Sequence, residues 1–145
     1  MAQPSTTRNG YAAFEHHLNL PQLELENATA TIMVGSVDAS VSPVRRYPDH
    51  VGAELNSHGG STTMALDAAY EYAMIVVSGE VLVDNKMLKP GQLAYLVVGH
   101  DECDFTTTAS SEEILVGGVP FEEKILMWWN FVARSQHEIA EAWLH

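Results

Sequence analysis

Residues 71–99 read EYAMIVVSGEVLVDNKMLKPGQLAYLVVG. Apolar and β-branched runs of four to seven residues are broken here at Ser78-Gly79, Asp84-Asn85 and Lys89-Pro90-Gly91. These are residue types that tight turns use, so strands joined this closely are expected to pair as antiparallel hairpins. The same texture extends in both directions. ATATIMVG (28–35), STTMAL (61–66), DFTTTA (104–109) and EEILVGG (112–118) are short, rich in β-branched residues and separated by turn signals. In the first of them Thr29, Thr31 and Met33 alternate with Ala30, Ile32 and Val34, which suits a strand with one face on a core. Long amphipathic helices do not alternate with these strands, which excludes a parallel α/β sheet. The expected class is all-β, a sandwich or barrel that removes exposed edges.

Only the tail reads as helix. Ser135 and Glu138 have the spacing of a capping box, and Ile139 and Trp143 then fall on one face, which is expected to pack on the barrel. A helix of about ten residues depends on docking for its stability. The opening residues, polar and without apolar period, read as an arm over 1–19, with a single domain over 20–145.

At 145 residues the chain can bury a core without disulfides or metal staples. Its 46% hydrophobic and 18% charged residues argue for a globular protein rather than a disordered one. The net charge of -12, with only Arg45-Arg46 adjacent among seven Lys and Arg, disfavours direct nucleic-acid binding. The lone Cys103 gives no intramolecular disulfide, and neither a signal peptide nor a membrane span is legible. A soluble cytoplasmic protein is expected.

SPVRRYPDHVGAEL (42–55), YEYAMIVVSGEVLVDNKMLKPGQLAYL (70–96) and VGGVPFEEKILMWWNFVARSQHEI (116–139) resemble the C-terminal half of the pirin family. Pirins are built from two cupin β-barrels, so the resemblance implies a cupin-type jelly roll from about Leu20 to the end. In the metal-binding half of pirins, an H-x-H pair precedes a strand, and a His and a Glu follow a Pro-Gly turn. The resemblance places Ala65 and Asp67 at the first pair and Asp104 and Thr106 at the second. All four ligands are replaced, and Glu71 matches a Glu of the pattern that is not a ligand.

Two carboxylates without imidazole make a poor transition-metal site, so no metal or other cofactor is expected. The pocket candidates are Asp67, Glu71, Tyr95, His100 and Asp104. His100, beside Asp101 and Glu102, is the best placed of the histidines for a polar contact. His50 and His58 read as loop residues. Cys103 follows an acidic run that would raise its thiol pKa, so it makes a poor nucleophile. Trp128, Trp129 and Phe131 are candidates for a partner surface. Read as one strand, this segment puts Trp129 and Phe131 on one face and Trp128 and Asn130 on the other.

The leading functional expectation is a non-catalytic, metal-free cupin module that binds a partner protein, a second copy of itself or a small ligand in the barrel. A homodimer or a pairing with another cupin subunit would re-cover exposed apolar surface. An enzyme reading, support of a quercetin 2,3-dioxygenase-like oxygenase, needs a metal half from elsewhere. A third reading, a transcriptional co-regulator acting through protein contacts, rests on analogy to some pirins.

Overall fold

A computed structural model describes residues 14–46, 49–122 and 124–144. Most of the arm expected over 1–19 lies outside these residues. The described residues form two compact units that divide at Pro120.

The larger unit is a two-sheet sandwich. Its strands are β1 (Gln22–Glu24), β2 (Ala28–Val34), β3 (Ser36–Val37), β4 (Ser40–Val41), β5 (His50–Ser57), β6 (Gly60–Ala65), β7 (Glu71–Ser78), β8 (Val81–Val83), β9 (Lys86–Leu88), β10 (Leu93–Leu96), β11 (Glu102–Thr107) and β12 (Ser111–Gly118). One sheet runs β1-β2-β5-β12-β7-β10 and the other β6-β11-β8-β9, all pairs antiparallel, with β3 and β4 as a separate small hairpin. The expected all-β jelly-roll class is thus realised as a sandwich.

Side-chain alternation explains how the sheets meet. Along β2, Ala28, Ala30 and Ile32 are sealed while the threonines between them are half-exposed. Leu55 on β5, Leu115 on β12 and Met74 on β7 face the same core, and Met64 and Phe105 meet them from the four-stranded sheet. Hydrophobic burial of such side chains, about 1.5–3 kcal/mol each, is what offsets the entropy of ordering these short strands.

The turn chemistry is as the residues dictate. Gly79 has φ +80, and a Cβ there would stand 2.4 Å from that of Ser111, so only glycine fits. Asp84 and Asn85 both adopt positive φ between β8 and β9, the geometry that these short polar side chains tolerate. His50, expected in a loop, instead opens β5, because HVGAELNS pairs with both β2 and β12. The two glycyl or alanyl positions Gly52 and Ala53 dilute its β signal in sequence.

The smaller unit holds β13 (Leu126–Trp128), β14 (Phe131–Ala133) and α1 (Gln136–Trp143). Here the single-strand reading of the tryptophan segment is corrected. Trp129 and Asn130 form a two-residue turn, Trp129 at φ 55, and Trp128 stands opposite Phe131 across the hairpin. Hydrophobicity alone hid that turn, since an indole is an unusual residue at positive φ.

The helix starts where expected. Ser135 caps it through a 3.2 Å bond from Glu138 N, while Glu138 Oε2 accepts from Arg134 N at 2.9 Å. Trp143 meets the Phe131 ring at 6.2 Å between centroids, so within this unit the helix leans on the hairpin. No residue of α1 is buried. Among the described residues no helix is long and apolar enough to cross a membrane.

Candidate functional site

Strand parity decides what the interior can hold. Thr62 and Met64 of β6 and Cys103, Phe105 and Thr107 of β11 are buried, whereas Thr63, Ala65 and Asp104 are exposed. Asp104 therefore stands on the outer face, and Ala65, exposed at the end of β6, borders the same cavity as Asp67, while the neighbours that turn inward offer a thioether, a thiol and a benzene ring. A shift of one residue exchanges the faces of a strand, and pattern matching cannot see which face is inner.

The outer residues are engaged with one another. Thr63 Oγ1 donates to Asp104 Oδ1 at 2.6 Å, and the Ser61 and Thr106 hydroxyls lie 2.9 Å apart. Glu71 and Tyr95 are likewise paired with each other. Both lie on the outer face of the six-stranded sheet, where Tyr95 OH donates to Glu71 Oε2 at 2.5 Å. That bond, with the carboxylate beside it, raises the Tyr95 pKa, because ionising the phenol would lose it. Of the pocket candidates, Glu71, Tyr95 and Asp104 are thus placed in exposed side-chain pairs and do not line the cavity that holds Asp67.

Asp67 is different. It lines a cavity of about 420 Å³ at one end of the sandwich, together with Asp38 from the β3–β4 turn, Leu66, Tyr70 and Tyr72. Asp67 Oδ1 accepts from Ala69 N at 2.9 Å and its own N–H donates to Tyr72 OH at 2.9 Å, so the carboxylate sits in a fixed turn. The Tyr72 ring is 4% exposed and lies over Gly117, where a Cβ would come within 2.3 Å of it. Burial raises the Tyr72 pKa, with the Asp67 backbone bond acting the other way. The ring of Tyr70 stands 6.0 Å from that of Tyr72.

His100 does not line the cavity. It is half-buried in the turn after β10, which is tied to the cavity wall by Gly99 N donating to Ala68 O at 2.8 Å. Asp38, Tyr70 and Tyr72 went unrecognised in the sequence. Period two carries Tyr72 into the core with Met74 and Val76, but nothing local brings the distant Asp38 to the same place.

The chemistry of this donor set does not fit the cupin metal. Ala65 has no donor, Thr106 offers a hydroxyl, and Asp104 points away from the interior where Asp67 lines its end. Among the described residues no group of three or more His, Cys, Asp or Glu converges as a metal site. The thiol of Cys103 is buried, and its pKa is pushed up to about 11 by burial first and then by Asp84 and Asp104. A neutral thiol is a weak ligand.

Residues 52–145 match the family described as the pirin C-terminal cupin domain. Over 143 residues the chain is 35% identical to a Pseudomonas aeruginosa protein named "Putative quercetin 2,3-dioxygenase", covering 98% of this chain and 45% of that one. The crystal structure of quercetin 2,3-dioxygenase from Acinetobacter baumannii superimposes with a TM-score of 0.92 at 32% identity, over 99% of this chain and 50% of that one. A further Acinetobacter baumannii quercetin 2,3-dioxygenase structure, at 18% identity and a TM-score of 0.79, shares the fold over 86% of this chain. The chain thus spans about half the length of the relatives it matches.

Proposed function

The chain belongs to the pirin family through its C-terminal cupin domain, and from that premise we propose that it is a cupin half that binds a small ligand at the Asp67 cavity without catalysing an oxygenase reaction. The observation that carries this reading is the parity of β6 and β11. Their inward side chains are Met64, Cys103 and Phe105, which are soft or apolar, with the neutral hydroxyls of Thr62 and Thr107 beside them, where an iron or nickel site needs imidazoles and a carboxylate. The cavity at Asp67 lies within the size range of small-molecule sites and combines two carboxylates with two phenol rings.

Elemental analysis of the protein purified without chelator tests the absence of the metal. The expected result is well below one transition-metal ion per chain and no flavonol turnover on addition of iron. About one tightly held iron or nickel per chain would overturn it. A ligand screen by thermal shift, repeated on Asp67→Asn, tests the cavity. Hits that are unaffected by that substitution would move the ligand elsewhere.

A second reading is favoured by the names of the two relatives at 35% and 32% identity: a subunit of a quercetin 2,3-dioxygenase-like enzyme. It predicts flavonol turnover when a metal-holding cupin half is present, and dependence of that turnover on this chain.

A further inference from the structure

Two apolar surfaces are exposed on this one chain. The first is on the terminal unit, where Met127, Trp128, Trp129, Trp143 and Leu144 are 75%, 56%, 82%, 65% and 81% exposed. A hairpin and an eight-residue helix without a buried residue cannot bury these groups on each other.

The second surface is the outer face of the six-stranded sheet at its β10 edge. Register places Leu93 beside Ile75 and Ile114, and Tyr95 beside Ala73 and Val116, in two apolar rows crossing three strands. Leu93, Val116 and the neighbouring Val77 are 53%, 41% and 48% exposed. Among the described residues β10 is also the last strand of its sheet, with no strand paired on its outer edge.

We propose that two copies of this chain associate by exchange, the terminal hairpin and helix of each lying on the outer β7–β10–β12 face of the other. This inference stands apart from the ligand reading of the Asp67 cavity. A second copy is the occupant that matches both surfaces at once, since it presents a face to each arm and an arm to each face, and a two-fold axis closes the pair. The area is sufficient. Three indoles at roughly 150–250 Å² each, contributed twice, reach the order of 1,000 Å² that a specific interface requires.

Charge gives the association a signature. Each copy carries -12, so the copies repel at long range and the apolar contact must overcome that repulsion. Dimerisation therefore tightens as salt is added, whereas binding of a basic partner would weaken.

The three tryptophans of the chain, 128, 129 and 143, all lie on the proposed arm and report on it. On dilution of the wild-type protein, emission is expected to shift to the red as the mass falls from twice 15.9 kDa to 15.9 kDa. A monomer at every concentration, with constant emission, overturns the proposal and leaves the arm on its own chain. Two variants then test the exchange. Trp128→Asp/Trp129→Asp removes the arm and Leu93→Glu/Val116→Glu removes the face, and each alone is expected to be monomeric. Mixed, they should recover a dimer with one intact arm and face. Dimerisation that survives in either variant, or a mixture that stays monomeric, overturns the exchange.

Discussion

Ser57 Oγ donates a 2.8 Å hydrogen bond to Glu113 Oε2, and Glu113 is fully sealed from solvent between the two sheets. Other buried polar atoms of the sandwich lack partners. Glu113 Oε1 and the hydroxyls of Thr62, Thr107 and Ser111 make no hydrogen bond of good geometry. Among the described residues no cation pairs with the carboxylate, and burying an ionised group without one is costly, which favours the protonated form. Burial pushes the Glu113 carboxyl above the usual range, the Ser111 and Ser57 hydroxyls pull it back, and Glu112 adds to the rise.

The stability of the fold is therefore expected to fall as pH rises. A folded-state pKa above the unfolded value gives a contribution that is complete below the unfolded pKa and is lost as pH climbs through the folded one. Each unit of upward shift corresponds to about 1.4 kcal/mol. Melting temperatures measured from about pH 5 to 8 should decline in the wild type. They should change less in Glu113→Gln, which keeps an acceptor for Ser57 and cannot ionise. Equal slopes for the two proteins would mean that Glu113 is ionised throughout.

Gly117→Ala is expected to destabilise the sandwich by about 1–3 kcal/mol, as over-packing does. The new methyl would stand 2.3 Å from the Tyr72 ring and 2.8 Å from Glu71 O, and backbone cannot swing aside as a side chain can. Because Tyr72 OH accepts from Asp67 N, displacing the ring also loosens the cavity wall. Urea denaturation measures the first effect. Weaker binding of any ligand found at Asp67 measures the second.

Ser135→Ala removes the side chain that accepts from Glu138 N, and loss of such a cap typically costs about 0.5–2 kcal/mol. An eight-residue helix has little reserve, so the change should appear as lost ellipticity at 222 nm rather than as global unfolding. A drop in the main melting transition of the same size would show that α1 and the sandwich unfold together.

How much of this was legible follows from which interactions are local. Period two and turn chemistry are local, so the strands around Ser78-Gly79 and Asp84-Asn85 and the cap at Ser135 could be read directly. The faces of β6 and β11 could not, because Ala65 and Asp104 differ from Met64 and Cys103 by one residue and only the assembled sandwich says which is inner. Glu113 was within reach, since it shares its parity with Leu115 on β12, but a carboxylate is assigned to solvent by default. The cavity was out of reach, joining Asp38 to Asp67 across a separation that no spacing rule spans.

Cys103 offers the last prediction, because three influences act on it in one direction and their order can be measured. The thiol pKa is pushed up to about 11, with burial the largest cause and the carboxylates of Asp84 and Asp104 following. At pH 8 about one thiol in a thousand would be ionised, so alkylation of the native protein should be slow and should approach completion only on unfolding. Asp104→Asn removes a minor cause and is expected to change the native rate by less than about tenfold, whereas Phe105→Ala, which empties a sealed position two residues further along the inner face of β11, should admit water and raise the rate further. Iodoacetamide kinetics followed by intact mass would read this order. If Asp104→Asn accelerated the reaction more than Phe105→Ala, charge rather than burial would control the thiol, and Cys103 would have to lie closer to the surface than its 3% exposure indicates.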